Sequence, residues 1–367
     1  MLASFVGAWS DRVGRRRVYC IGLLLIAAGL VIYPLAVSTI QLVLFRVVFA
    51  MGIAVAPLML SACVVDAIQE RSRGKWIGSN NLLQGLGVVV MAAGLAKLPL
   101  WFVSGGANAV DAGRYAFWTA AAVALLAAAC MAIGLPRFVP RESVGAKVPL
   151  LSGLWASVIH AGHLARSNPR LGLAFGGAFI GRGDFVVIGT FFSLWVTQAG
   201  IEAGMTTAGA MARGGMLFGI LQLAAMGWAF FMGLIVDRLN RVTGVCVAFG
   251  LATVSYFLLG QVADPFAGSF IPIALLAGMG EVSVIVATGA LLGQEAAIEH
   301  RGPIVGLFNA VGGLGILFAT LAGGLVFDHL GRTAPFTMMA ILNATLLALA
   351  LLVRRSQAGK AVPAPVI

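Results

Sequence analysis

Charged side chains are scarce in this sequence. Asp, Glu, Lys and Arg make up only 10% of its 367 residues, whereas about 25% is usual in soluble domains. Hydrophobic residues make up 60%. Because so few charges cannot cover a water-exposed surface, the composition excludes an ordinary soluble protein and indicates a chain embedded in lipid.

Cysteine and histidine are also rare, with four residues of each. The cysteines lie far apart in apolar runs, without a CxxC or Cys/His group, which excludes a disulfide framework and a cysteine metal site. His160 and His163 are three apart, but no third ligand accompanies them. The motifs HExxH and GxSxG and phosphate-cradling loops are absent as well. We therefore expect no metal, no cofactor and no enzymatic activity.

Long apolar stretches, by contrast, fill most of the chain. A membrane-spanning helix needs about 20 apolar residues. Ten stretches of this kind occur, at 18–37, 40–65, 76–96, 114–135, 170–197, 207–232, 242–261, 268–293, 303–327 and 334–353. Residues 1–9 are apolar too, but they are too few to cross. The sequence predicts an all-α polytopic membrane protein.

The basic residues are distributed unevenly between alternate loops. Of the 24 Lys and Arg residues, 18 fall on one side of the predicted membrane and 3 on the other, while Arg46, Arg182 and Arg213 lie within spans. By the positive-inside rule the side with 18 is cytoplasmic, and it includes the C-terminal tail. The net charge of +11 is thus a topology signal, so the expected partner is the lipid bilayer and no nucleic acid.

Three landmarks recur along the chain in the same order. GAWSDRVGRR at Gly7 returns as GLIVDRLNR at Gly233, RGKWIG at Arg73 as RGPIVG at Arg301, and DAGRYAF at Asp111 as DHLGRTAPF at Asp328. The offsets are 226 residues for the first pair, 228 for the second and 218 for the third, measured from Gly113 to Gly331, and they indicate two homologous halves. They predict an N-terminal bundle at 1–135, a cytoplasmic linker at 136–169, a C-terminal bundle at 170–353 and a tail at 354–367. Within the linker, residues 150–166 have the apolar spacing of an amphipathic surface helix.

The repeat also predicts that the N-terminal half lacks its first segment. In the second half 63 residues separate residue 170 from Gly233, whereas 6 precede Gly7. The deficit of about 57 residues equals one span and most of another. We therefore expect Met1 to be an internal methionine or a misassigned start, in a protein of twelve spans.

The charged motif near the start carries a family resemblance. GAWSDRVGRRR resembles the loop between the second and third helices of the major facilitator superfamily, Gly-x-x-x-Asp-Arg-x-Gly-Arg-Arg, and FRVVFAMGIAVAP at Phe45 is similar to that family's fourth-helix pattern. The resemblance extends over essentially the whole chain. It implies two pseudo-symmetric helical bundles that move a small-molecule substrate by alternating access, with a monomeric protein in the cell (inner) membrane.

The same resemblance suggests where the transport residues lie. In that family the first, fourth, seventh and tenth helices line the cavity, and spans 40–65, 170–197 and 268–293 correspond to the last three. These spans carry four charged residues, Arg46, Arg182, Asp184 and Glu281. A charge near the bilayer centre costs at least about 2.5 to 3.5 kcal/mol, so such residues almost always face an interior or a water-filled path.

Asp184 and, after it, Glu281 are the predicted sites of proton exchange, with protons or another ion as coupling partner. The alternative is that both acids form structural ion pairs with arginines on neighbouring helices. Arg182 and Asp184 are two residues apart, so a regular helix points them to different sides. For Arg46, coupling and snorkelling to the outer interface are both open, whereas Arg213 is interpreted as snorkelling.

Two further sets of residues follow from the motifs. The resemblance implies a conformational lock on the cytoplasmic side, for which an ordinary helix cap is the alternative: Gly7, Asp11, Arg12, Gly14, Arg15, Asp237 and Arg238. Polar residues within spans are candidates for lining the cavity or for hydrogen bonds between helices, and the second role is the more typical one for each alone: Asn80, Asn81, Gln84, Gln222, Asn309 and Asn343.

The direction of transport follows less directly. Drug and proton antiporters of the family usually carry a Gly-Pro motif in the fifth helix, whereas NNLLQGLGVVVMAAG from Asn80 has glycines and no proline. Proton-coupled export of a drug or metabolite is predicted, and uptake of a small metabolite is the alternative. A truncated membrane scaffold without transport is the hypothesis from another class.

Overall fold

The computed structural model describes residues 10, 13–67, 83–88, 90–91, 94–135, 168–296 and 301–357. All regular elements of these residues are helices. In chain order they are α1 (Arg15–Ile32), a 3-10 turn (Tyr33–Leu35), α2 (Thr39–Ala67), α3 (Leu98–Ser104), α4 (Ala109–Gly134), α5 (Pro169–Val187), a π-helical segment (Ile188–Phe192), α6 (Ser193–Glu202), α7 (Thr207–Arg238), α8 (Arg241–Gly260), α9 (Phe270–Glu295), α10 (Arg301–Leu330) and α11 (Ala334–Gln357).

The membrane spans agree with the hydrophobic pattern. The described residues contain nine helical segments long and apolar enough to cross a bilayer, with α5, the π-helical segment and α6 forming one of them at Pro169–Glu202. They coincide with nine of the ten predicted spans. The tenth, 76–96, is described only in part, at 83–88, 90–91 and 94–96, and the predicted surface helix at 150–166 with its histidines lies outside the described residues. The chain is a multi-pass, all-helical membrane protein.

The chain divides into two compact units, residues 1–87 with 94–151, and residues 88–93 with 152–367. In the first unit α1 packs against α2 and α4. Glycines allow the α1 and α2 backbones to meet: a Cβ at Gly52 would lie 2.6 Å from the Ile26 nitrogen, and one at Gly29 would lie 2.7 Å from the Phe49 Cα. Small residues of this kind let helix backbones approach closely, which favours helix association in lipid.

The second unit is built around α5. This helix packs against α9, α10 and α11, while α8 packs against α9 and α11, and α7 against α9. In the most apolar part of the Pro169–Glu202 span 67% of the residues are buried, against 17% for Thr39–Pro57. A span so enclosed by other helices can hold polar side chains away from the hydrocarbon.

The third pair of repeat landmarks is not equivalent in the structure, so that part of the prediction was wrong. Gly113 lies inside α4, whereas Gly331 lies in the turn between α10 and α11 with φ 111°. The difference arises because Asn108 caps α4, accepting a hydrogen bond from the Asp111 nitrogen at 2.8 Å. The helix therefore starts ahead of the DAGR motif, while the DHLGR motif ends a helix.

Candidate functional site

A buried carboxyl group lies near the middle of the Pro169–Glu202 span, three residues before the end of α5. Asp184 is 0% exposed. The Asn343 amide of α11 donates hydrogen bonds to both carboxyl oxygens, at 3.0 Å and 3.2 Å, and to the Met339 carbonyl oxygen at 2.9 Å. The last bond fixes the amide to its own helix, so Asn343 presents its donors to Asp184 in a set orientation.

A second acid, Glu281 of α9, lies near Asp184 and is also buried, with 3% of its surface exposed. The packing of α5 on α9 accounts for its position. A Cβ at Gly177 would meet the Thr288 side chain, and one at Gly181 would lie 3.0 Å from Val284 Cγ1. From the first contact to the second, the position on α5 moves forward by one turn and the position on α9 moves back by one turn, because the two helices are antiparallel. One further turn in the same direction places Asp184 of α5 beside Glu281 of α9.

Tyr256 of α8 completes the cluster, which we define as Asp184, Tyr256, Glu281 and Asn343. Its hydroxyl group lies close enough to both acids to interact with their charge. Among the described residues two buried oxygens of the cluster, Glu281 Oε2 and Asn343 Oδ1, have no hydrogen-bond partner, and a third, Tyr256 Oη, lies beside the Asp184 carboxyl group without standard hydrogen-bond geometry. An unmet buried polar group costs about 1 to 3 kcal/mol. A cluster with several of them is therefore a candidate for a functional role.

The expected alternative, an ion pair with a neighbouring arginine, is not formed by either acid within the described part of the chain. The ion pairs of these residues lie elsewhere: Arg114 with Asp111, Arg170 with Glu295, Arg241 with Asp237 and Arg332 with Glu202. Asp184 and Glu281 thus share a buried site in which the described residues supply no counter-charge.

Arg182 points away from this cluster, as the helical spacing predicts. Its Nη2 donates to Asn309 Oδ1 of α10 at 2.6 Å, and Asn309 in turn donates to the Val305 carbonyl oxygen at 3.1 Å. Gly312 leaves room for the arginine stem, because a Cβ there would lie 2.5 Å from Arg182 Cδ. Arg182 is half-buried as a residue, and its guanidinium group is held at the surface of the second unit.

The other predicted transport and cavity residues are dispersed. Arg46 is exposed, with its guanidinium carbon 5.9 Å from the centroid of the Tyr33 ring and 5.3 Å from that of Phe49. Gln222 is buried on α7, whereas Gln84 is exposed in a helical stretch at 83–88. Asn80 lies outside the described residues.

Of the predicted lock, Gly7, Asp11 and Arg12 also lie outside the described residues. Gly14 precedes α1 with φ 100°, a backbone conformation that favours glycine, and Arg15 begins the helix. In the second unit Asp237 forms a local ion pair with Arg241 at 2.7 Å, and Arg238 is exposed. The geometry of these two residues is that of a helix end.

Sequence reasoning missed one member of the cluster and the role of another. Tyr256 lies in an apolar run, VSYFLLG, that carries no polar signal. Asn343 stands out as an amide in a span, but nothing near it in the sequence names Asp184, 159 residues away, as its partner. In the part of the chain that the structure describes, no group of three His, Cys, Asp or Glu residues is placed to hold a metal ion.

Comparison with known proteins gives concordant matches. The family model of the Major Facilitator Superfamily matches residues 1–264 and 215–366. The magnetosome protein MamH of Paramagnetospirillum magneticum is 28% identical over 367 residues, covering 97% of this chain and 80% of that protein. The magnetosome protein MamZ of Magnetospirillum gryphiswaldense is 28% identical over 354 residues, covering 91% of this chain. The chain spans only 51% of the length of MamZ.

The fold matches solved transporters as well. A bacterial homologue of the human lysosomal transporter Spinster, inward-facing and unoccupied, superimposes with a TM-score of 0.66 over 100% of this chain and 88% of that one. The occupied, inward-facing form gives a TM-score of 0.67, over 99% and 87% of the two chains. Sequence identity is 16% in both cases, so the likeness concerns the fold.

Proposed function

The chain belongs to the Major Facilitator Superfamily of secondary transporters, and from this premise we propose that it moves a small organic solute across the cell membrane in exchange for protons, by alternating access. Export of a drug or metabolite is the proposed direction, and uptake of a small metabolite is the alternative. The proposed location is the inner membrane, with the C-terminus in the cytoplasm and the protein acting as a monomer.

The cluster around Asp184 carries the proposal of proton coupling. A proton bound by Asp184 or Glu281 removes a charge at a depth where charge is expensive. The cluster joins helices α5, α8, α9 and α11, so gain or loss of a proton alters the hydrogen-bonding demands on four helices at once. A ligand shifts a conformational equilibrium only through its different affinity for the two states, and the cluster offers the proton such a difference.

Reconstituted vesicles test this function. The full chain is inserted into liposomes that contain a trapped pH-sensitive dye, and a panel of small organic anions, cations and neutral solutes is added on one side. We expect at least one solute to drive proton movement, and the sign of the movement distinguishes exchange from uptake together with protons.

The coupling residues are tested in the same vesicles. Asp184→Asn and Glu281→Gln each remove an ionisable group at nearly constant volume, so we expect solute-driven proton movement to fall at least about tenfold. Asp264→Asn is the matched control, because Asp264 lies in an exposed loop of the same unit and an amide oxygen can keep its bond to the Phe266 nitrogen. Full proton movement in both cluster variants would rule out the coupling role.

A non-transporting scaffold is the competing proposal, and it has its own signature. If the folded protein supports no flux of any solute in these vesicles, with or without a pH gradient, the scaffold gains support. Size-exclusion chromatography of the sample used for reconstitution verifies that the protein is folded and reports whether it is a monomer.

The similarity to MamH and MamZ favours a second candidate for the location. Both relatives are magnetosome proteins, and the similarity covers more than nine-tenths of this chain. The second candidate is therefore a transporter of a magnetosome membrane. Fractionation of the membranes of the source cell, followed by immunodetection of this chain, separates it from an inner-membrane transporter.

A further inference from the structure

Arg182 is a fixed positive charge deep in a membrane span. It lies 13 residues from the first residue of α5, or about 20 Å along the helix axis at 1.5 Å per residue. An arginine side chain cannot reach the interface from that depth by snorkelling. Because a charge in the hydrocarbon is costly, we expect this half-exposed arginine to face a water-filled path.

The guanidinium group is held in position but is not neutralised. The bond to Asn309 Oδ1 occupies one of its five N–H donors, and this partner is an uncharged amide. Among the described residues no carboxylate pairs with Arg182. Asp184, the nearest acid along the helix, faces inward to Asn343. Donors in a planar fork therefore remain open to a ligand, and this geometry suits a carboxylate or a phosphate.

Two aromatic rings pack together about one turn of α5 from this charge. Phe179 is three residues before Arg182 and so lies on the same side of α5. Its ring centroid is 5.4 Å from that of Phe318 on α10, and the Phe318 side chain is 40% exposed. An apolar wall about one turn from a guanidinium group suits an organic molecule with a negatively charged head and an apolar body.

We propose that Arg182, oriented by Asn309, binds the anionic group of the transported solute, so that the substrate is a small organic anion carrying a carboxylate or a phosphate. This inference rests on the proposed transport function, because it names the class of substrate. It does not depend on proton coupling.

Binding is tested on the purified full chain by thermal stabilisation, since a ligand of the native state raises the unfolding temperature. The probes share one ring and differ in charge: benzoate and phenyl phosphate are anionic, benzamide is neutral and benzylamine is cationic. A lysophosphatidate is added as a separate arm, to distinguish a lipid source of the anionic group from a water-soluble one. We expect an anionic probe, water-soluble or lipid, to stabilise the protein and the other two to leave it unchanged.

The variants define the site. Arg182→Gln should weaken anion binding about 10- to 100-fold, the worth of a charged hydrogen-bonded contact, and Arg182→Lys should retain part of the affinity. Arg213→Gln is the matched control, an arginine in another span of the same unit. Equal stabilisation by the neutral or cationic probe, unchanged binding in Arg182→Gln, or no stabilisation by any anionic probe would overturn the proposal.

A second measurement needs no ligand. In a chain whose four cysteines are replaced by alanine, Gly313→Cys places a thiol one turn from Asn309, where a Cβ meets nothing within 4 Å. Anionic and cationic methanethiosulfonates then report the local potential. A unit charge about 6 Å away in water changes each rate about threefold, so Arg182→Gln should lower the anionic-to-cationic rate ratio about tenfold. A ratio unaffected by Arg182→Gln would also overturn the proposal.

The two failures are distinguishable. If the anion site is correct but the coupling proposal is wrong, Arg182→Gln weakens binding while Asp184→Asn and Glu281→Gln keep full proton movement. If the coupling is correct but the anion site is wrong, neutral or cationic solutes drive proton movement and Arg182→Gln has no effect on it.

Discussion

The contact between Asn343 and Asp184 permits a quantitative test of the buried cluster. One amide nitrogen donates to both oxygens of the carboxyl group and to a backbone carbonyl of its own helix. Both side chains are fully buried, so bulk water does not compete with their contact in the intact protein. We predict that the two side chains are strongly coupled in a double-mutant cycle of Asp184→Ala and Asn343→Ala.

The expected magnitude follows from the chemistry of the pair. Hydrogen bonds to an ionised group contribute about 1.5 to 3 kcal/mol, and those between neutral groups about 0.5 to 1.5 kcal/mol. The coupling energy of the cycle should therefore be larger where Asp184 is ionised than where it is protonated. Asn343→Ala alone also removes the bond to Met339 and leaves a small cavity. If the lost hydrogen bonds and the cavity together lower the free energy of unfolding by about 3 kcal/mol, the unfolding temperature of Asn343→Ala should fall by about 6 to 12 °C.

The assay is thermal unfolding of the four proteins of the cycle in one detergent, at about pH 5 and about pH 9. Thr345→Ala serves as control: Thr345 lies two residues away on α11, is exposed, and among the described residues its hydroxyl group bonds only to the Ile341 carbonyl of its own helix. We expect this control to shift stability by less than about 0.5 kcal/mol. A coupling energy below about 0.5 kcal/mol at both pH values would refute the interpretation.

Two glycine substitutions test the packing and the backbone. Gly177→Ala forces a methyl group into the Thr288 side chain and should destabilise the protein by about 1 to 3 kcal/mol, whereas Gly250→Ala, in open space on α8, should be neutral or stabilising by up to about 1 kcal/mol. Gly14→Ala places a Cβ at φ 100° and should cost about 1 to 2 kcal/mol, whereas Gly113→Ala, helical with nothing within 4 Å, should not. Thermal unfolding measures all four, and equal shifts within either pair would contradict the reasoning.

The sequence was sufficient for the candidate acids but not for their surroundings. Asp184 and Glu281 could be singled out because acids are so rare within the spans. Their relation to each other was not predictable, because it depends on Gly177 and Gly181 bringing α5 close to α9. Tyr256 was missed altogether, since an aromatic residue in an apolar run is indistinguishable from ordinary packing until its hydroxyl group is found beside a carboxyl group.

The repeat shows a similar limit. The similar short sequences at Asp111 and Asp328 suggested equivalent positions in the two halves. The capping residue Asn108, however, makes α4 begin before its motif. Helix ends depend on local hydrogen bonds of single side chains, so a match of a few residues does not establish structural equivalence.

The sequence by itself determined that this protein resides in a membrane, because span length and apolar content are local properties set by bilayer thickness. The structure describes nine of these spans. The sequence also indicated the family, because the charged motif that begins at Gly7 is a local string of residues. Only the tertiary structure decided that Asp184 meets Asn343, and that Arg182 meets Asn309 from the opposite side of the same helix. These partners are more than 120 residues apart in the chain. Their meeting depends on how closely glycines let particular helices approach, and the hydrophobic pattern of each helix alone does not contain that information.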